Sequence, residues 1–220
     1  MTREELLQIA KPVLFNTEMT VAILDGRKTV TRRCVKPKSK NACGFYVTFR
    51  KSDNAFMGVY DYDENERQFD NSQTPPACIG DILYIRETWS EWTGGYVYKA
   101  WSGPFPQPGK ASVMKWHPSI HMPKEAARIF LRVTDVRAER LQDITEEQAM
   151  AEGAKQCYEQ IDPLKNRPVT YLAEDGKGYY VLGFKKVWNG TIKKTEMDIY
   201  GWDANPWVWV IEFERIEAEQ

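Results

Sequence analysis

Eight consecutive residues, Gly26-Arg27-Lys28-Thr29-Val30-Thr31-Arg32-Arg33, bring one ammonium, three guanidinium groups and two hydroxyls into a single short stretch. Groups of this kind stabilise developing negative charge on a carbonyl or phosphate, and a hydroxyl attacks a carbonyl or positions water. The commoner reading of such a run is a solvated charged turn. Along an extended chain, alternation puts Lys28 on the face opposite Thr29 and Thr31, whereas a turn after Gly26 brings Lys28 and Thr31 together. Further candidates lie elsewhere. Arg86, Glu87 and Trp89 follow the apolar run Ile82-Leu83-Tyr84-Ile85. A strand end is where loops build sites, and there Trp89 either stacks on a base or packs in the core, and Glu87 reads a base edge or pairs with Arg86. Trp116, Ser119 and His121 stand in the proline-bracketed segment WHPSIHMP. His117 and His121 have the spacing of two helical ligands, but Pro118 argues against a continuous helix, and without a third ligand no metal site is expected. Asn205-Pro206-Trp207 reads as a pocket rim or as turn chemistry.

Composition narrows the function classes. The 220 residues include 30 Lys and Arg against 31 Asp and Glu, a net charge of -1. Coating DNA by wholesale phosphate neutralisation needs an excess of cations, so any nucleic-acid contact is expected to be local. No apolar run approaches the roughly 20 residues that cross a bilayer. The charged start MTREELLQIAKPVLF lacks the features of a signal peptide, so cytoplasmic residence and no membrane partner are expected. Cys34, Cys43, Cys78 and Cys157 have no C-x-x-C spacing and are expected as free thiols. The 28 aromatic residues exceed what a small core needs, so some are expected to line a pocket while most pack inside the sheet. Asn189-Gly190-Thr191 matches a glycosylation sequon that a cytosolic chain does not use.

The elements that must position these groups follow from periodicity. Residues 2–10 read as a helix capped by Thr2, with Leu6, Leu7 and Ile9 apolar and Pro12 ending it. Lys11 to Phe15 reads as extended. Asn16 or Thr17 caps a second helix with Met19, Ala22 and Ile23 on one face, and Gly26 stops it from the C′ position. Residues 45–49 and 56–60 read as a hairpin, followed by a polar surface excursion. Residues 82–85 form a buried strand, and 96–101 another. Residues 127–138 alternate, with Ile129, Leu131 and Val133 on one face and Arg128, Phe130, Arg132 and Thr134 on the other. Thr145 and Gln148 have capping-box spacing, opening a helix that carries Ala149, Met150 and Glu152 and closes at Gly153. Residues 155–178 read as an excursion, 179–188 as a helix with Phe184 and Val187 inward, and 207–213 as a final strand. Strands outnumber helices without alternating with them, which indicates α+β.

The order helix, GRKTVTRR, GDILYIRETW, VTDVRAERL, DITEEQAMAEG and WVWVIEFERI resembles the ASCH domain family. The likeness covers most of residues 13–33, 79–89, 128–153 and 207–216, and the whole chain looks most like the larger ASCH proteins of phages and prophages. The resemblance implies a PUA-like mixed β-barrel with flanking short helices, one domain over residues 1–220 with excursions at about 36–78, 91–116 and 154–206. It implies recognition of nucleic acid or a modified nucleobase in a pocket between barrel and helix. A minimal group within the family hydrolyses N4-acetylcytidine, and its catalytic Lys, Thr and Glu fall on Lys28, Thr31 and Glu152. In that chemistry Glu152 serves as general base, Thr31 attacks or positions water, and Lys28 stabilises the oxyanion or acts as base. No cofactor is called for. Arg27, Arg32, Arg33, Arg86, Glu87, Trp89, Trp116, Ser119 and His121 are the expected nucleobase or nucleic-acid contacts. Two alternatives stand beside hydrolysis: a non-catalytic RNA- or DNA-binding module, and a ribonuclease.

Overall fold

The computed structural model describes residues 1–92, 95–100, 114–163, 167–173 and 177–219. In chain order its regular elements are α1 (Arg3–Ile9), β1 (Lys11–Leu14), α2 (Thr17–Leu24), β2 (Val30–Cys34), β3 (Gly44–Phe49), β4 (Phe56–Tyr62), β5 (Gln68–Ser72), β6 (Ile82–Arg86), β7 (Trp89–Trp92), β8 (Gly95–Tyr98), β9 (Phe130–Arg140), α3 (Glu146–Ala151), β10 (Cys157–Asp162), β11 (Arg167–Leu172), α4 (Tyr180–Thr191), α5 (Met197–Tyr200) and β12 (Trp207–Ile216). The protein is a mixed α+β structure, mostly sheet with a few short helices.

The principal sheet has the strand order β1-β6-β9-β12-β2. Its pairs are antiparallel except β1 with β6, which run parallel from Lys11 opposite Leu83 to Leu14 opposite Arg86. Among the described residues no ladder joins β1 to β2, so the sheet is not a closed hydrogen-bonded barrel. The two edges are tied by a side chain instead: Arg33 Nη2 donates to the Leu14 carbonyl at 3.0 Å.

Why β12 is apolar almost throughout follows from what covers it. Side chains alternate between sheet faces. Val208 and Val210 pack with Val30, Leu141, Ala149, Phe184 and Trp188 under α3 and α4, while Trp209, Ile211 and Phe213 pack on the other face with Phe15, Ile85, Leu131 and Val133. A third cluster joins Leu6 of α1 to Ile82, Tyr84, Trp89, Tyr98, Met122 and Phe130. A strand buried on both faces loses its polar alternation. Phe130 is buried in this third cluster rather than lying on a polar face of β9.

The polar stretch after β4 is not wholly a surface excursion, since Gln68–Ser72 forms β5 and completes a three-stranded sheet of order β3-β4-β5. Buried Asp61 pins this sheet down, accepting from Lys38 N at 3.0 Å, Ser39 N at 2.6 Å and Gln73 Nε2 at 2.5 Å. β7 pairs with β8 as a hairpin, so Trp89 begins a strand rather than following one loosely. Trp101, expected at the end of a strand, lies outside the described residues. Residues 155–178 hold the β10–β11 hairpin. α1 ends at Ala10, and Pro12 sits within edge strand β1; Leu6 is its buried residue, and Ile9 is exposed. α4 buries Phe184 and Trp188, with Val187 half-buried. All four cysteines are free thiols. Among the described residues no helix is long and apolar enough to cross a membrane.

Candidate functional site

Lys28 is fixed by the way α2 ends. Asn16 caps the helix start, its Oδ1 accepting from Met19 N at 2.8 Å. At the other end Gly26 adopts φ +73°, and the Arg27 and Lys28 amides both fold back onto the Ala22 carbonyl at 2.8 and 2.9 Å. The chain then meets the end of α3: Lys28 and Glu152 form an isolated antiparallel bridge, and Thr29 N donates to Ala151 O at 2.8 Å. α3 itself starts from the capping box of Thr145 and Gln148, and Glu152 is its C-cap. Gly153 follows with φ +78°, where a Cβ would lie 2.8 Å from the Ala22 Cβ and 3.2 Å from the Lys28 Cβ. Only a glycine both adopts that left-handed backbone readily and admits this approach.

The side chains then converge. Lys28 is 2% exposed and Glu152 8%. Lys28 Nζ donates to Glu152 Oε2 at 2.6 Å, to Val30 O at 2.7 Å and to Glu152 O at 3.0 Å, which uses all three ammonium donors. Arg32, its side chain without exposed surface, donates to Glu152 Oε1 at 3.2 Å and Gln148 Oε1 at 2.9 Å and reaches Glu139 Oε2 at 3.4 Å; its Nε is buried without a partner. Beyond Glu139 the chain of charges continues to Arg137, at 2.5 Å from Glu139, and on to Asp135 and Glu212. Burial pushes the Lys28 ammonium below the ordinary lysine value, and Glu152 opposes that without cancelling it. Burial likewise lowers the Arg33 guanidinium, again opposed by Glu152. Lys28 Nζ and the Arg33 guanidinium lie 5.6 and 5.4 Å from the Phe15 ring centroid, a cation–π arrangement. Thr31, 3% exposed, alternates onto the strand face of Arg33, and its hydroxyl has no hydrogen-bond partner among the described residues.

Glu152 also forms part of the wall of a cavity of about 370 Å³ between α2, the start of β10, the end of β11 and α4. Its walls include Met19, Val21, Cys157, Leu172, Phe184 and Val187, with Arg27, Lys155 and Lys186 among the polar residues. This falls within the size range of small-molecule sites.

The remaining candidates form a second grouping around the end of β6. Arg86 donates to the carbonyls of Met122, at 3.1 Å, and Ile120, and so staples the WHPSIHMP segment to the sheet. Glu87, 1% exposed, takes both arms of Arg128 at 2.8 and 3.0 Å; burial raises its carboxyl above the ordinary range while Arg128 opposes the rise. Trp89 is buried, stacks on His117 at 4.9 Å between centroids and leaves its Nε1 without a partner. Trp116 and Ser119 are half-buried, and His121 is exposed. His117 and His121 therefore sit in different surroundings, and among the described residues no group of three or more His, Cys, Asp and Glu converges.

The structure thus brings Lys28, Arg32 and Glu152 together, with Arg33 close enough for its charge to act on Lys28. Arg27 lines the cavity from its exposed position. A direct ligand contact by Arg32 does not fit a side chain enclosed by three internal acceptors, and the same holds for Glu87 beneath Arg128. Gln148, Glu139 and Arg128 complete these networks and were not among the candidates. Gln148 was within reach of sequence reasoning, because it lies four residues before Glu152 and so on the same helical face. Comparison with known protein families, with curated proteins and with solved structures gave no match.

Proposed function

We propose that this chain is an ASCH-like protein of PUA-like architecture that holds a modified nucleobase, free or within nucleic acid, beside Glu152, and that it removes an acyl group from N4-acylated cytidine. The observation that carries the reading is the buried Lys28–Glu152 pair at 2.6 Å, positioned where Glu152 forms part of the wall of a ligand-sized cavity. The edge-to-edge bond from Arg33 to Leu14 supports a sheet curled toward a barrel.

Hydrolysis of the amide runs through addition of a water oxygen to the acyl carbon. The carbonyl oxygen becomes an oxyanion, the C–N4 bond breaks, and the departing amine takes a proton, giving cytidine and the carboxylic acid. Lys28, enclosed like Arg32 by three internal acceptors and not part of the cavity wall, acts through Glu152 by fixing the position of its carboxylate. Glu152 receives the proton of the attacking water and passes it on. Thr31, buried in β2 on the face of Arg33 and not part of the cavity wall, enters this mechanism on the resemblance alone, as the hydroxyl that positions the water.

A second reading, binding without turnover, draws on the fact that both Glu152 oxygens and all three Lys28 donors are already engaged inside the protein. Incubation with N4-acetylcytidine and with acetylated RNA, followed by chromatography, separates the two. Release of cytidine or deacetylated RNA supports the enzyme. No turnover with retained RNA or DNA binding refutes hydrolysis and leaves the binding module, and loss of both refutes the nucleobase reading altogether.

A further inference from the structure

We infer that the cavity beside Glu152 takes a phosphate-bearing nucleotide in preference to a free nucleoside; this rests on the nucleobase reading above and specifies its substrate class. The walls divide by chemistry. Met19, Val21, Leu172, Phe184 and Val187 make an apolar surface suited to a ring, and Glu152 supplies an acceptor for an exocyclic amine. The charges at the same cavity are Arg27, Lys155 and Lys186 against Glu18 and Glu152. Glu152 is already balanced by Lys28 and Arg32, so among the described residues three cations face a single uncommitted carboxylate.

Among the described residues none of the three cations is held by a strong internal partner. Arg27 makes only an exposed contact with Asp25 at 3.0 Å, a kind of pair that contributes little. Lys186 Nζ reaches only the Thr170 carbonyl, at 3.5 Å, and Lys155 has no ion pair among the described residues. Their placement is built into the backbone. Gly183 brings α4 so close to Lys155 that a Cβ there would lie 1.8 Å from the Lys155 carbonyl oxygen, and Lys155 and Lys186 both line the cavity. A site with surplus exposed cations over an apolar wall selects a ligand that joins a ring to an anion, because each phosphate oxygen replaces water on an ammonium with a charge-assisted bond.

The test is isothermal titration of the full chain with cytidine and with cytidine 5′-monophosphate at low ionic strength. The monophosphate is expected to bind about tenfold tighter, the size of one charge-assisted hydrogen bond, and the margin should shrink as salt is raised. The double substitution Lys155→Ala with Lys186→Ala should bring the two probes to equal affinity. Equal binding of both probes to the wild type overturns the phosphate site and leaves the nucleobase reading intact. A margin unchanged in the double variant also overturns it, since the phosphate then sits elsewhere. Absence of binding by either probe, with no turnover of N4-acetylcytidine, overturns both inferences together.

Discussion

Replacing Glu152 by Gln tests the site at its centre. The amide keeps the size of the carboxylate and one carbonyl acceptor, so what it removes is charge. Two cations then lie buried without a counter-ion bonded on this side: Lys28 and Arg32, whose side chains have no exposed surface. Removing one partner of a buried pair costs about 3–5 kcal/mol. Lys28 retains the carbonyls of Val30 and residue 152 as acceptors, and Arg32 retains Gln148 and Glu139, which places the expected loss near the lower figure. For a chain of this length about 3 kcal/mol corresponds to a Tm lower by roughly 6–12 °C. Calorimetry and urea denaturation measure it directly. The pH dependence adds a signature that a generic packing defect lacks. Because burial holds Lys28 below 10.5, the folded protein releases that proton before the unfolded chain does. Between the folded value and 10.5 the unfolded state binds more protons, and stability rises with pH. Without the Glu152 charge the folded value falls further and the window extends downward. The stability gap between wild type and variant should therefore narrow as pH rises toward 10.5. A gap within about 0.5 kcal/mol at neutral pH, the size of an ordinary surface substitution, would refute the ion-pair account, as would a larger gap that does not change with pH.

Thr31→Val should leave the denaturation midpoint close to that of the wild type, since its hydroxyl bonds no described residue, yet lower turnover of N4-acetylcytidine by about 100-fold if that hydroxyl positions the attacking water; undiminished turnover removes Thr31 from the mechanism. Gly153→Ala should cost about 2 kcal/mol or more in urea denaturation, combining a left-handed backbone with a 2.8 Å approach to the Ala22 Cβ, and a neutral result would mean that the α2–α3 contact is looser than described. For Asp61, burial pushes the carboxyl up, but the bonds from Ser39, Lys38 and Gln73 outweigh it and hold it below 3.8. Asp61→Asn should therefore lose about 1–3 kcal/mol at neutral pH, with the difference from wild type vanishing as acid protonates the native carboxyl, while a difference independent of pH would contradict this.

Much of the frame was legible in the sequence because local chemistry dictates it. Thr2, Asn16 and Thr145 cap their helices as their residue types imply, and Gly26 and Gly153 stop two helices in the left-handed conformation. The β3–β4 hairpin, β6 and β12 lie where their apolar runs stand. What escaped depends on pairing across the chain. β5 is a largely polar strand paired with β4, and its single Phe69 makes no apolar pattern. Trp89 reads as a free aromatic at a strand end until the β7–β8 hairpin and His117 enclose it. The burial of Arg32 was hidden for a similar reason. In sequence it is one of four cations in a charge run, and only the fold brings Glu152 from the end of α3 and Glu139 from β9 to enclose it.

That enclosure bears on what Glu152 does. A carboxylate has about four acceptor sites, and Lys28 and Arg32 occupy one on each oxygen. The remaining lone pairs are the ones available to a ligand in the cavity. An exocyclic amine or a water approaching from that side meets a carboxylate whose rotation is stopped at both ends, once by Lys28 and once by Arg32, which is itself held by Gln148 and Glu139. Orientation is thus fixed before a ligand arrives, the arrangement that favours a site acting by placement. Shortening Arg32 should accordingly free the carboxylate to turn, even though Arg32 lies too deep to touch a ligand. Arg32→Lys keeps the charge while removing the fork that spans Glu152 and Gln148, so it should weaken nucleobase binding or turnover more than a fold-preserving substitution of the exposed Arg27 does. The reverse ranking would show that the rim, and not the locked carboxylate, governs recognition.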